Sequence, residues 1–193
     1  MGKDSILQAI RQNKPAGRPL PEIPIFPGRE ITPTEQFIKM AETGGSQILR
    51  AAHVQEINAM LKNLFPEARN IASPVPEITS TINLEEIQSP LELEQVDVAV
   101  IRGHLGVAEN GAVWLTESAC RHRILPFITQ HLMLLIPETS IVPTLHDAYR
   151  NIRINDEGFG IFIAGPSKTA DIEQALVIGA QGARSLTIIL TAF

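Results

Sequence analysis

The chain has 193 residues, 44% of them apolar, which suits one α/β domain that buries a core without covalent staples. Its 16 basic and 21 acidic residues leave a formal net charge of -5, which excludes a generally basic, nucleic-acid-binding surface. One cysteine, Cys120, excludes an internal disulfide and a cysteine-ligated iron–sulfur cluster held by this chain alone, and suits a reducing cytoplasm.

Ile6, Leu7 and Ile10 share one face of a predicted N-terminal helix. This segment lacks the apolar centre of a signal peptide, and no run of ~20 apolar residues anywhere in the sequence predicts a membrane span. Pro15, Pro19, Pro21, Pro24 and Pro27 then make residues 14–30 an extended arm. Ile23, Ile25 and Phe26 predict that the arm drapes over its own domain or over another subunit, so a homo-oligomer is compatible with it. Residues 1–30 thus form a helix and arm, and residues 31–193 the α/β domain.

Thr32, Pro33 and Glu35 form a predicted capping box that starts a helix ended by Gly44 and Gly45. A strand over 46–49, a helix over 54–64 closed by Pro66 and a strand over 69–72 come next. Residues 73–95 read as a loop with one short helix. The apolar run over 96–101 predicts a central strand, and Glu109-Asn110-Gly111 a hairpin turn before a strand over 112–116 that carries Trp114. A helix over 121–129, a buried strand over 131–136 and a helix over 143–152 with Leu145, Ala148 and Tyr149 inward complete this part. The order predicts a mostly parallel sheet with helices on both faces and a small β-hairpin excursion.

The last 36 residues carry the strongest pattern. Residues 159–164 predict a strand buried on both faces, and residues 186–190 another. Between them Gly165, Pro166, Ser167, Lys168, Thr169 and Asp171 suit a loop opening a helix near Thr169. A loop at the carboxyl end of a strand and the amino end of a helix favours an anion, though helix capping alone accounts for the same residues.

The stretch GPSKTADIEQALVIGAQG, residues 165–182, resembles the C-terminal signature of the lactate-utilisation protein C family, the LUD domain. The resemblance extends through residues 98–111, 123–126 and 141–147, and leaves about the first ninety residues unmatched. This chain has Gln181 and Ala183 where family members carry a histidine and a proline. The resemblance implies a NagB/RpiA/CoA-transferase-like fold and a part in the oxidation of lactate to pyruvate beside two separate iron–sulfur proteins. The clusters would sit in those partners, and this chain would be an accessory or organic-acid-binding subunit with no cofactor of its own.

An anion site for a small organic acid is expected from Arg102, Gly106 and Arg123 with Gly165, Pro166, Ser167, Lys168, Thr169 and Asp171, and Arg121 is a further candidate. Glu109 is similar, in its Glu-Asn-Gly setting, to the glutamate nucleophile of acyl-coenzyme A transferases. That likeness implies an alternative, a free-standing acyl- or phosphoryl-substrate transferase or ligase, while a metabolite sensor is a third reading. His104, between glycines after a central strand, is the candidate acid or base. No metal-ligand spacing is present among the five histidines. Cys120 beside Arg121 and His122 carries a hint of a nucleophile, against which stands the usual inertness of a lone cysteine.

Overall fold

The computed structural model describes residues 2–15, 17–19, 21, 22, 24, 31–153, 157–170 and 176–193. In chain order the elements are α1 (Lys3–Gln12), α2 (Pro33–Thr43), β1 (Gln47–Ala51), α3 (Val54–Leu64), β2 (Ile71–Ala72) and β3 (Val98–Arg102). They continue with β4 (Leu105–Val107), β5 (Ala112–Thr116), α4 (Glu117–Cys120), α5 (Leu125–Ile128), β6 (His131–Pro137) and β7 (Ile141–Val142). The last are α6 (Leu145–Asn151), β8 (Gly160–Ile163), β9 (Lys168–Ala170), β10 (Leu176–Ile178) and β11 (Ser185–Thr191).

Five strands form a wholly parallel sheet in the order β1-β11-β6-β3-β2. Its central strands are apolar on both faces because both faces are covered. On one face Ile101, Leu132, Leu134, Ile136 and Ile188 pack with Phe37 of α2, Cys120 of α4 and Leu125 of α5. On the other, Val98, Val100, Met133, Leu135 and Ile189 pack with Ile57 and Leu61 of α3. The helices on both faces and the parallel sheet are as the sequence predicts. So is the Thr32–Glu35 capping box: the Glu35 amide donates to Thr32 Oγ1 and the Thr32 amide to Glu35 Oε2.

The hairpin is larger than expected. β4 and β5 are the middle of a second, four-stranded sheet in the order β7-β4-β5-β8. β8 therefore runs antiparallel to β5 and does not join the parallel sheet, and its residues are only half-buried. The apolar run over 159–164 carries no mark that separates these two fates. Gly160 permits the pairing with β5, because the Trp114 indole lies so close that a Cβ there would sit 2.2 Å from its ring.

Two predicted helices change, and a third, α6, forms where expected with one side chain turned out. Lys168–Ala170 is a strand paired antiparallel with Leu176–Ile178, so no helix starts at Thr169, and Asp171 lies outside the described residues. Of the predicted helix over 121–129 only the single turn α5 forms; a separate turn, α4, precedes it over the expected break, and Arg121 between them has a φ of 60° that no helix accommodates. Tyr149 of α6 is half-exposed instead of inward, and it touches Phe162 only edge-on. In α1 none of the described residues is buried, and the described residues of the arm are exposed. Ile23, Ile25 and Phe26, on which draping was expected, lie outside the described residues.

Candidate functional site

A cleft of about 1040 Å³ opens at the carboxyl ends of β2 and β3, where general α/β logic places ligands. One wall is the end of β3 and the turn after it, with Arg102, Gly103 and His104. A second wall is Thr116, Ser118 and Arg121, at and after the end of β5. The loop 73–85 closes the third side. A smaller cavity of about 340 Å³, reaching Phe159 and Arg153, shares His104, Thr116 and Ser118 with the cleft.

Arg121 is held unusually. The His122 amide donates to the Cys120 carbonyl at 2.7 Å, closing a three-residue γ-turn whose central residue is Arg121, with φ 60° and ψ -49°. It is the only non-glycine of positive φ among the described residues. Such a conformation costs about 1–3 kcal/mol and persists where the surroundings impose it, commonly at binding sites. Here they are the buried Cys120 before it and His122 after it, whose Nε2 lies 2.8 Å from the Leu84 carbonyl. The guanidinium meets the Glu85 carboxylate across the cleft. Arg102 stands similarly opposite Glu77, at 3.9 Å, a loose contact. Both arginines thus face a carboxylate of the 73–85 loop, and all four side chains are about half-exposed or more, so each pair is weak and exchangeable.

Arg123 is committed elsewhere. Its Nε and Nη2 donate to the two Glu117 oxygens at 2.7 and 3.0 Å, which holds the guanidinium above its ordinary pKa, and it lies 5.8 Å over the Phe159 ring. Glu157 holds the floor beside it by accepting from the Ser118 amide at 2.9 Å and the Ser118 hydroxyl at 2.8 Å. Those two donors lower the Glu157 pKa, the amide most. A depressed folded pKa means that this clip is at full strength above the ordinary carboxylate pKa and is lost as pH falls through the folded value. Carboxyl chemical shifts followed by NMR are expected to give a Glu157 midpoint below ~4.3, the free-peptide value, whereas a midpoint at or above it contradicts the clip.

Cys120 is fully buried, and its thiol is pushed up to about 12, first by burial and then by the charges of Glu157 and Glu117. It is a core residue and not a nucleophile at neutral pH. His104 is exposed on the rim between the two cavities, with its amide on the Trp114 carbonyl.

The remaining candidates lie apart from the cleft. Glu109 is in the turn between β4 and β5, and its Oε2 accepts from the Leu145 amide at 2.9 Å, at the start of α6. His104 and Glu109 thus stand beyond opposite ends of β4, and only His104 lines the cleft. Gly106 is buried, with the Phe37 ring and Ile136 where a Cβ would be. Gly165 has φ 79° and presses on the Gly44 carbonyl, to which Lys168 Nζ also donates; Pro166 packs on Gly45. Ser167 links the Ala183 carbonyl and the Gly179 amide, and the Thr169 hydroxyl donates to the Val177 carbonyl. This loop therefore caps the carboxyl end of α2, where a lysine matches the helix dipole.

Sequence reasoning misses Ser118, Thr116 and the 73–85 loop. Nothing in their composition marks them, because the cleft exists only once β2, β3 and β5 end side by side. No group of three or more metal-ligating side chains occurs among the described residues, and no helix there is long and apolar enough to cross a membrane.

The family model for the LUD domain matches residues 85–191. The chain belongs to the LUD domain family. Lactate utilization protein C of Shouchella clausii is 31% identical over 112 residues, which are 55% of this chain and 49% of that protein. The protein of the same name from Anoxybacillus flavithermus is 34% identical over 98 residues, 50% of this chain and 44% of that one. The LUD-domain chain thus spans about half the length of the curated relatives it matches. A crystal structure of a DUF162 family protein from Deinococcus radiodurans superposes with a TM-score of 0.63 at 17% identity, over 83% of this chain and 99% of that one, which shows the shared fold. Two cleft walls, with Arg102, His104, Ser118 and Arg121, fall inside the LUD match, whereas the loop that closes it falls almost wholly before the match.

Proposed function

We propose that the chain is an organic-acid-binding subunit in the oxidation of lactate to pyruvate, working with separate iron–sulfur proteins, and that the 2-hydroxy acid binds in the carboxyl-end cleft. The observation that carries this reading is Arg121, set in a strained γ-turn so that its guanidinium faces the cleft against a carboxylate that an incoming one can replace. Arg102 supplies a second cation, Ser118 and Thr116 supply hydroxyls, and His104 stands where a proton on a bound hydroxyl could be taken. Lactate fills only the arginine corner of a 1040 Å³ cleft, and the open remainder admits the electron acceptor that a chain with a single, buried cysteine does not itself supply as a cluster. Family membership and the names of the relatives support the same reading.

Growth tests it. In the source cells, deletion of the chain is expected to abolish growth on L-lactate; the wild-type chain restores it and Arg121→Gln does not, although both accumulate and co-purify with iron–sulfur proteins. Full growth of the deletion strain on lactate would overturn the role, and full rescue by Arg121→Gln would overturn the site.

A further inference from the structure

We propose that a second cavity, at the amino ends of β3, β6 and β11, binds a zwitterionic α-amino acid with an apolar side chain. It has a volume of about 410 Å³, within the range of small-molecule sites. His131 and Ser185 open β6 and β11, and the seven residues of β6 separate this cavity from the carboxyl end of the sheet by roughly 20 Å. It is therefore independent of the lactate cleft.

Leu64, Phe65 and Pro66, where α3 ends, give an apolar wall. Facing it are His131, Asp97, Gln130 and Arg184, and Glu67, a second carboxylate, lines the cavity from an exposed position after Pro66. The imidazole is fixed: its Nδ1 lies 2.8 Å from Ser185 Oγ and its ring stacks on Phe65 at 4.6 Å. Nε2 has no hydrogen bond among the described residues. Burial lowers the His131 pKa first, the Arg184 charge lowers it further and the Asp97 charge opposes this, so a cation and an anion both act on the ring.

Arg184 forms no ion pair with a described carboxylate. Asp97 is pinned by the Arg69 and Asn70 amides, at 2.9 and 2.8 Å, both on Oδ2, which leaves Oδ1 without a hydrogen bond among the described residues. A separate cation and anion beside an apolar wall match a ligand that carries both charges on a short spacing. The ligand carboxylate goes to Arg184, its ammonium to Asp97, and its side chain against Leu64, Phe65 and Pro66. A 2-hydroxy acid offers the carboxylate alone.

L-phenylalanine is the probe, titrated into the full chain by calorimetry beside 3-phenyllactate, which has a hydroxyl for the ammonium, and phenethylamine, which lacks the carboxylate. Saturable binding of phenylalanine is expected, weaker by about tenfold or more for each analogue and for Arg184→Gln with phenylalanine, one charged hydrogen bond being lost each time. Arg184 is exposed, so the variant folds as the wild type does, which thermal unfolding verifies. Arg121→Gln is expected to leave phenylalanine binding unchanged. No saturation by phenylalanine, equal affinity for 3-phenyllactate, or wild-type affinity in Arg184→Gln each overturns the proposal.

Discussion

Gly111→Ala is expected to destabilise the fold by about 2–5 kcal/mol, read as a lower urea midpoint at an unchanged slope. Gly111 has φ 70°, where an L side chain costs about 1–2 kcal/mol. The greater obstacle is steric. A Cβ there would lie 2.4 Å from the Ala41 nitrogen, 2.6 Å from its Cα and 2.8 Å from the Met40 carbonyl carbon, all backbone of α2. A flexible side chain could swing aside, but a helix backbone must move whole, and overpacking of this kind costs about 1–3 kcal/mol more. The turn that results is a four-residue connection, with the Gly111 amide on the Val107 carbonyl and the Ala112 amide on Asn110 Oδ1. A loss under about 1 kcal/mol would show that the turn does not bear on α2 as described.

Arg121→Gly is expected to leave stability within about 1 kcal/mol of the wild type and to weaken lactate binding about ten- to a hundredfold. Glycine relieves about 1–3 kcal/mol of γ-turn strain. Against that stand about 0.5–1 kcal/mol of added chain entropy and about 0–1 kcal/mol for the exposed pair with Glu85. The three nearly cancel. Arg121→Ala keeps the strain and loses the pair, so it should unfold more easily than Arg121→Gly. The reverse order in urea would mean that the γ-turn stores no strain, and the main structural reason for assigning Arg121 to the site would fall with it.

The parallel sheet is legible in the sequence because its strands are buried on both faces: 131–136 and 96–101 are apolar almost without interruption. The start of α2 is legible because a capping box is local chemistry. The second sheet is not, since whether residues 160–163 join β5 or the parallel strands depends on Trp114 and Gly160 meeting over some 46 residues of chain. Arg121 carries no signal of its conformation, because positive φ is ordinarily announced by glycine or asparagine. The GPSK loop reads as an anion site from its place between strand and helix, but its anchor is the Gly44–Gly45 turn, 120 residues earlier and invisible to local pattern. Resemblance identifies the family correctly from that loop, while the cleft itself lies elsewhere.

The most direct test is calorimetric titration of the purified full chain with L-lactate, with Arg121→Gly and Arg102→Gln in parallel. One saturable site is expected in the wild type, weakened about tenfold or more by each substitution in a protein that still unfolds cooperatively. Absence of saturable binding in the wild type, or undiminished affinity in Arg121→Gly, would contradict the proposed lactate site.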